Sequence, residues 1–106
     1  MSEELVNKLK KMLSEMKHWG KKPVLKSGRI VVEIVKLPER RSKTGGVKPE
    51  HLALMIRRED AFRGLIIVSP EELEDLRRGI SSSKLDEIVK ALWKIYRDKT
   101  VLEFEI

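Results

Sequence analysis

Apolar residues recur near the start of the chain at Leu5, Leu9, Met12, Met16 and Trp19, a 4-3-4-3 spacing that lines one side of a helix. Val6 and Leu13 widen the stripe. The pattern predicts a helix over Ser2 to Trp19. Ser2 serves as N-cap, Glu3 and Glu4 sit in the first turn where acids suit the helix dipole, and Gly20 and Pro23 stop it. Such a face covers the chain's own sheet or meets a second subunit.

The period then falls to two. Pro23 to Lys26 reads as a short strand, Ser27-Gly28 as a tight turn and Arg29 to Leu37 as a strong strand rich in β-branched residues. Ile30, Val32 and Ile34 form the expected core face, with Val31, Glu33 and Val35 opposite. Pro38 to Pro49 reads as a long mobile loop, His51 to Arg58 as the next strand, and Leu65 to Val68 as a short apolar strand central in the sheet. Ser69-Pro70-Glu71-Glu72 is a capping box that opens a short helix with Leu73 and Leu76 inward, ending at Gly79. Lys84 to Lys99 is a longer helix whose inward face is Leu85, Ile88, Val89, Leu92, Ile95 and Tyr96, with Trp93 at its edge. Val101 to Ile106 alternates as a last strand. Consecutive strands with short turns predict an α+β fold: an N-terminal helix, an antiparallel sheet of four to five strands, and two helices of the C-terminal half packed against it. A length of 106 residues predicts one domain.

Charge changes this picture from a generic fold to a directed one. Lys17 to Lys48 holds ten Lys and Arg against two acids, a net +8, while the whole chain carries +6. A block this lopsided asks for an anionic partner, and nucleic acid is the first candidate. Charged residues reach 38%, with no Cys, no Gln and a single Asn, the balance of a heat-adapted protein. The absence of Cys excludes disulfides, thiolate zinc sites and a Cys nucleophile. His18 and His51 are far apart and lack a metal-binding setting. No apolar run approaches a membrane span, and the acidic start MSEELV does not read as a secretory signal, so an intracellular, cytoplasmic location is expected.

Catalytic signatures are missing from the sequence. Gly45-Gly46 is not followed by the pattern of a phosphate loop, and no Ser-His-Asp set is suggested. Glu33 and Asp60 are the pair on which a metal-dependent nuclease would rest. The expectation is a binder, with no enzymatic activity, cofactor or metal. Cations neutralise phosphates, and aromatic or apolar side chains give bases a surface to stack on. The expected phosphate contacts are Lys21, Lys22, Lys26, Arg29, Arg40, Arg41, Lys43, Arg57 and Arg63, and the expected base platforms are Trp19, Phe62 and Met55. Phe104 reads as core, and Trp93 and Tyr96 fall at helical spacing and read as core before ligand. The strand face of Val31, Val35, Ala53 and Met55, framed by Arg29, His51 and Arg57, offers a cleft for bases. The strands carry no aromatic, which argues against an RNA-recognition motif, and the acidic Leu73 helix argues against a helix-turn-helix.

In its small size, basic helix-and-hairpin first half, following strands and helices, and heat-adapted composition, the chain resembles the ThermoDBP-related single-stranded DNA-binding proteins of thermophilic archaea. The resemblance covers residues 1 to 106 and rests on arrangement rather than on a short motif. It implies single-stranded DNA binding without catalysis or cofactor, in a cleft built on the antiparallel sheet, by an oligomer. The partners expected are therefore single-stranded DNA, with RNA not distinguished from it, and a second copy of the chain joined through helix faces. The alternatives are an oligomeric adaptor assembled through its amphipathic helices, and the metal-dependent nuclease.

Overall fold

The structure, a computed structural model, describes residues 2–104 and the side chains of residues 2–99. The chain divides into two compact units between Val68 and Ser69. Ser2 caps α1 (Glu3–Glu15), its hydroxyl accepting from the Leu5 amide at 3.4 Å. The helix is capped at Met16, short of the predicted end at Trp19. The cause is local. Trp19 adopts a φ of 65°, its amide donates to the Lys36 carbonyl at 2.7 Å, and the Lys36 amide donates to the Gly20 carbonyl at 3.1 Å. Bonds to β2 here take the place of further helix bonds. Gly20 has no room for a side chain, since a Cβ would lie 2.8 Å from the Lys17 carbonyl oxygen.

The chain continues as β1 (Lys21–Ser27), β2 (Ile30–Leu37), β3 (Arg40–Arg41), β4 (Val47–Lys48), β5 (His51–Arg58) and β6 (Leu65–Ile67). β1, β2, β5 and β6 form one antiparallel sheet in that order, and β3 and β4 form a separate ribbon. Two expectations are corrected here. The stretch from Pro38 to Pro49 is a small hairpin rather than a structureless loop. β6 lies at the edge of the sheet and not at its centre, since among the described residues it pairs with β5 alone.

The core face is also corrected. Register places Glu33 opposite Met55 and Val35 opposite Ala53, so Val31, Glu33, Val35, Ala53, Met55 and Arg57 share one face. Val35 (0% exposed), Met55 (2% exposed) and Ala53 are its buried centre, with Leu37 and Ile66 packed against them. On the face expected to be core, Val32 and Ile34 are half-buried and Ile30 is exposed. The acid in the Val31-Glu33-Val35 row made that row look solvent-facing, yet Glu33 is buried and bound to Arg57.

Lys36, on the opposite face of β2 from Val35, is buried as well. Its ammonium donates to the carbonyls of Leu13 at 2.6 Å and Met16 at 2.9 Å. These belong to the last turn and cap of α1, where unpaired carbonyls favour a cation.

In the second unit the predicted capping box is present at the start of α2 (Pro70–Ile80). The Glu72 amide donates to Ser69 Oγ and the Ser69 amide to Glu72 Oε1, each at 3.2 Å. α3 runs from Ser83 to Phe104. The strand expected at Val101 to Ile106 is thus helical through Phe104, since no Gly or Pro interrupts the chain after Tyr96; Glu105 and Ile106 lie outside the described residues. The inward face expected on α3 is corrected too. Leu85, Ile88, Val89, Leu92 and Ile95 are exposed, as are Trp93 at 59% and Tyr96 at 63%, whose rings stack with centroids 5.8 Å apart. The side chain of Phe104 lies outside those described. Among the described residues no helix is long and apolar enough to cross a membrane.

Candidate nucleic-acid interface

The β3–β4 hairpin is held by its turn. The Ser42 amide donates to the Gly46 carbonyl at 2.8 Å and the Gly45 amide to the Ser42 carbonyl at 3.1 Å. Ser42 Oγ accepts from the Gly46 amide at 3.0 Å and lies 2.9 Å from Thr44 Oγ1. Gly45 takes a φ of 91°, open to glycine at no steric cost. The register sets Arg40 opposite Lys48 and Arg41 opposite Val47. Like charges directly opposite one another destabilise a strand pair. No carboxylate among the described residues pairs with Arg40, Arg41, Lys43 or Lys48. The result is an open hollow lined by Arg40, Arg41, Ser42, Gly46, Val47 and Lys48, in which Arg40 stands across from Lys48 and Arg41 across from exposed Val47. An anion seated there would relieve the repulsion.

The second gathering is the loop between β5 and β6. Arg57 binds Glu33 through Nε to Oε2 at 3.1 Å and Nη2 to Oε1 at 2.7 Å. Its remaining Nη1 donates to the carbonyls of Arg58, Glu59 and Ala61 at 3.0, 3.3 and 3.0 Å. The Lys21 ammonium donates to the Phe62 carbonyl at 2.9 Å, and Lys26 pairs with Glu59 at 2.8 Å. Phe62 itself is 89% exposed. The guanidinium, by hydrogen bond and by charge, holds the Glu33 carboxyl below the usual carboxylate range against the opposing effect of burial, and Lys21 adds to the same pull. Glu33 in turn raises Arg57.

A third cluster lies at the end of α1. Glu50 Oε2 is 3.1 Å from His18 Nε2 and 3.6 Å from Lys36 Nζ, and these partners lower its pKa. Lys17, Lys21 and Lys22 line a hollow together with Met12, Met16 and the acid Glu15.

The structure sorts the predicted residues. Arg40 and Arg41 line one hollow together with Lys48, which is not among the contacts expected from the sequence, and Lys43 is exposed in the turn beside it. The missed signal was the separation of Arg40 and Lys48 about a two-glycine turn. Lys21, Lys26, Arg57 and Phe62 are joined by bonds at the β5–β6 loop; Arg29 gives its carbonyl to the Glu59 amide, and Arg63 follows Phe62. Arg57 is a half-buried partner of Glu33, not an open cation. Met55 is corrected: it is interior and presents no surface to a base, and the cleft expected on its face is closed. Trp19 is half-exposed, and Lys22 is exposed beside the α1 hollow.

Comparison with protein-family models, with curated proteins and with solved structures gives no match. Among the described residues no three His, Asp or Glu side chains gather as a metal site. Glu33 and Asp60 do not converge on each other through any bond: the first holds Arg57 and the second accepts from Arg58 at 3.2 Å.

Proposed function

We propose that the protein binds single-stranded DNA inside the cell with little sequence preference, as a binder rather than an enzyme. Phosphates lie on Arg40, Arg41, Lys43 and Lys48 of the β3–β4 hairpin, and bases stack on Trp19 and Phe62. The observation that carries this reading is the cross-strand placement of Arg40 opposite Lys48 with no acid between them. Like charges so placed weaken the strand pairing, and a polyanion lying along them would relieve that repulsion. The resemblance to the ThermoDBP-related proteins points the same way.

The test is a titration of labelled single-stranded DNA, duplex DNA and RNA at a series of salt concentrations. Affinity for the single strand falls with salt with a log–log slope near −0.7 per phosphate neutralised. Changing Arg40, Arg41 and Lys43 together to Ala should flatten the slope by roughly 2, from three lost contacts. An unaltered slope removes the hairpin from the interface. RNA bound as tightly as DNA would widen the ligand class.

A second reading has its own observation. Leu85, Ile88, Leu92 and Ile95 follow the spacing of a coiled-coil seam on exposed α3. They support a chain that assembles with a second copy through this helix, either as the oligomeric form of the binder or as an adaptor indifferent to nucleic acid.

A further inference from the structure

Resting on the single-stranded DNA reading above, we infer that Glu33, Arg57 and Lys21 are positioning residues that hold Phe62 out as a preformed stacking platform for an unpaired base. An exposed aromatic on a slack loop would have to be ordered when a ligand arrives, and that ordering weakens binding. The loop under Phe62 is not slack. One guanidinium nitrogen of Arg57 takes three of its carbonyls, and Lys21 takes the carbonyl of Phe62 itself.

Arg57 is itself fixed from behind. Two of its nitrogens are locked by the Glu33 carboxylate inside the sheet, so the guanidinium cannot turn away from the loop. The loop is pinned at both ends. At one, the Glu59 amide donates to the Arg29 carbonyl at 2.8 Å. At the other, Gly64 lies so close on β5 that a Cβ there would overlap the Ile56 carbonyl and the Arg57 Cα and Cβ.

The side chain that all this rigidity leaves standing in solvent is the most exposed of the chain's large apolar residues described. Arg63, exposed beside it, supplies a cation for the phosphate of a stacked nucleotide. Arg57 therefore acts on the ligand through Phe62, its donors being committed to Glu33 and to backbone carbonyls, and Lys21 acts there through the bond it gives to the Phe62 carbonyl. This differs from their role as read from the sequence, which was direct contact with phosphate.

Lys21 is exposed and can be changed without touching the interior. The experiment compares the wild type, Lys21→Met, Phe62→Ala, the double variant and Phe62→Trp for binding to a thymidine oligonucleotide over a salt series. Phe62→Ala should weaken binding about 5- to 150-fold, the loss of one stacked base, with Phe62→Trp retaining it. Lys21→Met should weaken binding with its salt slope unchanged, and should add little to Phe62→Ala, because both remove the same platform. Trp19→Ala, at a separate position, should add its full effect on the Phe62→Ala background.

A slope reduced by about 0.7 in Lys21→Met, with losses that add, would make Lys21 a phosphate contact and overturn the inference. So would wild-type affinity in Phe62→Ala. A wild type that ignores the oligonucleotide overturns the binding reading and this one with it. A wild type that binds beside an indifferent Phe62→Ala overturns this inference and removes Phe62 from the proposed stacking surface, leaving the hairpin cations as the binding element.

Discussion

Met55 has no surface to offer a base, and its neighbours explain why. It pairs with Glu33 across β2 and β5 and packs with Val35 and Ala53, so its sulfur and methyl groups fill the interior. Met55→Ala should destabilise the fold by about 2–5 kcal/mol, measured by denaturant unfolding, and leave the salt slope of binding unchanged. The choice of face was not legible in the sequence, because an acid in the middle of the Val31-Glu33-Val35 row imitates a solvent row. Only the register, which brings Arg57 within reach, neutralises that acid. The same pair fixes a pH dependence. Glu33 and Glu50 are both held below the usual carboxylate range, near ~4.3 when unperturbed. A depressed folded-state pKa contributes stability above that range and loses it as pH falls through the depressed value. Thermal unfolding should therefore be flat from neutral pH to about 5 and fall below about 4. Glu33→Gln should be less stable at neutral pH and should show a shallower acid decline, and an identical acid limb would remove Glu33 from the account.

At the scale of elements, legibility followed length and chemistry. The Ser69–Glu72 capping box was readable because reciprocal bonds between an N-cap and the third helical residue need particular side chains at a fixed spacing. β2 and β5 were readable from eight residues of β-rich, alternating sequence each. The hairpin was not, since strands of two residues, Arg40–Arg41 and Val47–Lys48, are too short to show any period. Gly45-Gly46 marked a break in the chain without revealing the strand pair on either side of it, and only the concentration of cations was visible in the charge. The reverse error fell on Val101 to Ile106, where alternation over a few residues imitated a strand at the end of a long helix. Short alternation without a flanking turn residue has little power to overrule a helix already in progress.

For the whole molecule, the concentration of cations in Lys17 to Lys48 is divided among tasks. Lys36 anchors α1, Lys21 and Lys26 hold the β5–β6 loop, and the hairpin cations are left open. Formal charge located the basic half but did not apportion it, because apportioning depends on which acids and carbonyls the fold brings near each ammonium. The exposed apolar seam of α3 is the feature on which the proposed assembly rests. Leu92→Lys should convert an assembled species to a monomer by light scattering after size exclusion, while wild type of monomer mass at all concentrations would exclude the seam as an interface.

The interior ammonium of Lys36 has a practical result for any experiment in rising salt. Its bonds to the Leu13 and Met16 carbonyls are shielded from mobile ions, whereas the hairpin guanidiniums stand open to them. If the ribbon holds a strand as proposed, added electrolyte should strip it off long before it loosens the attachment of the first helix, so loss of signal reports release of the ligand and not a melting scaffold.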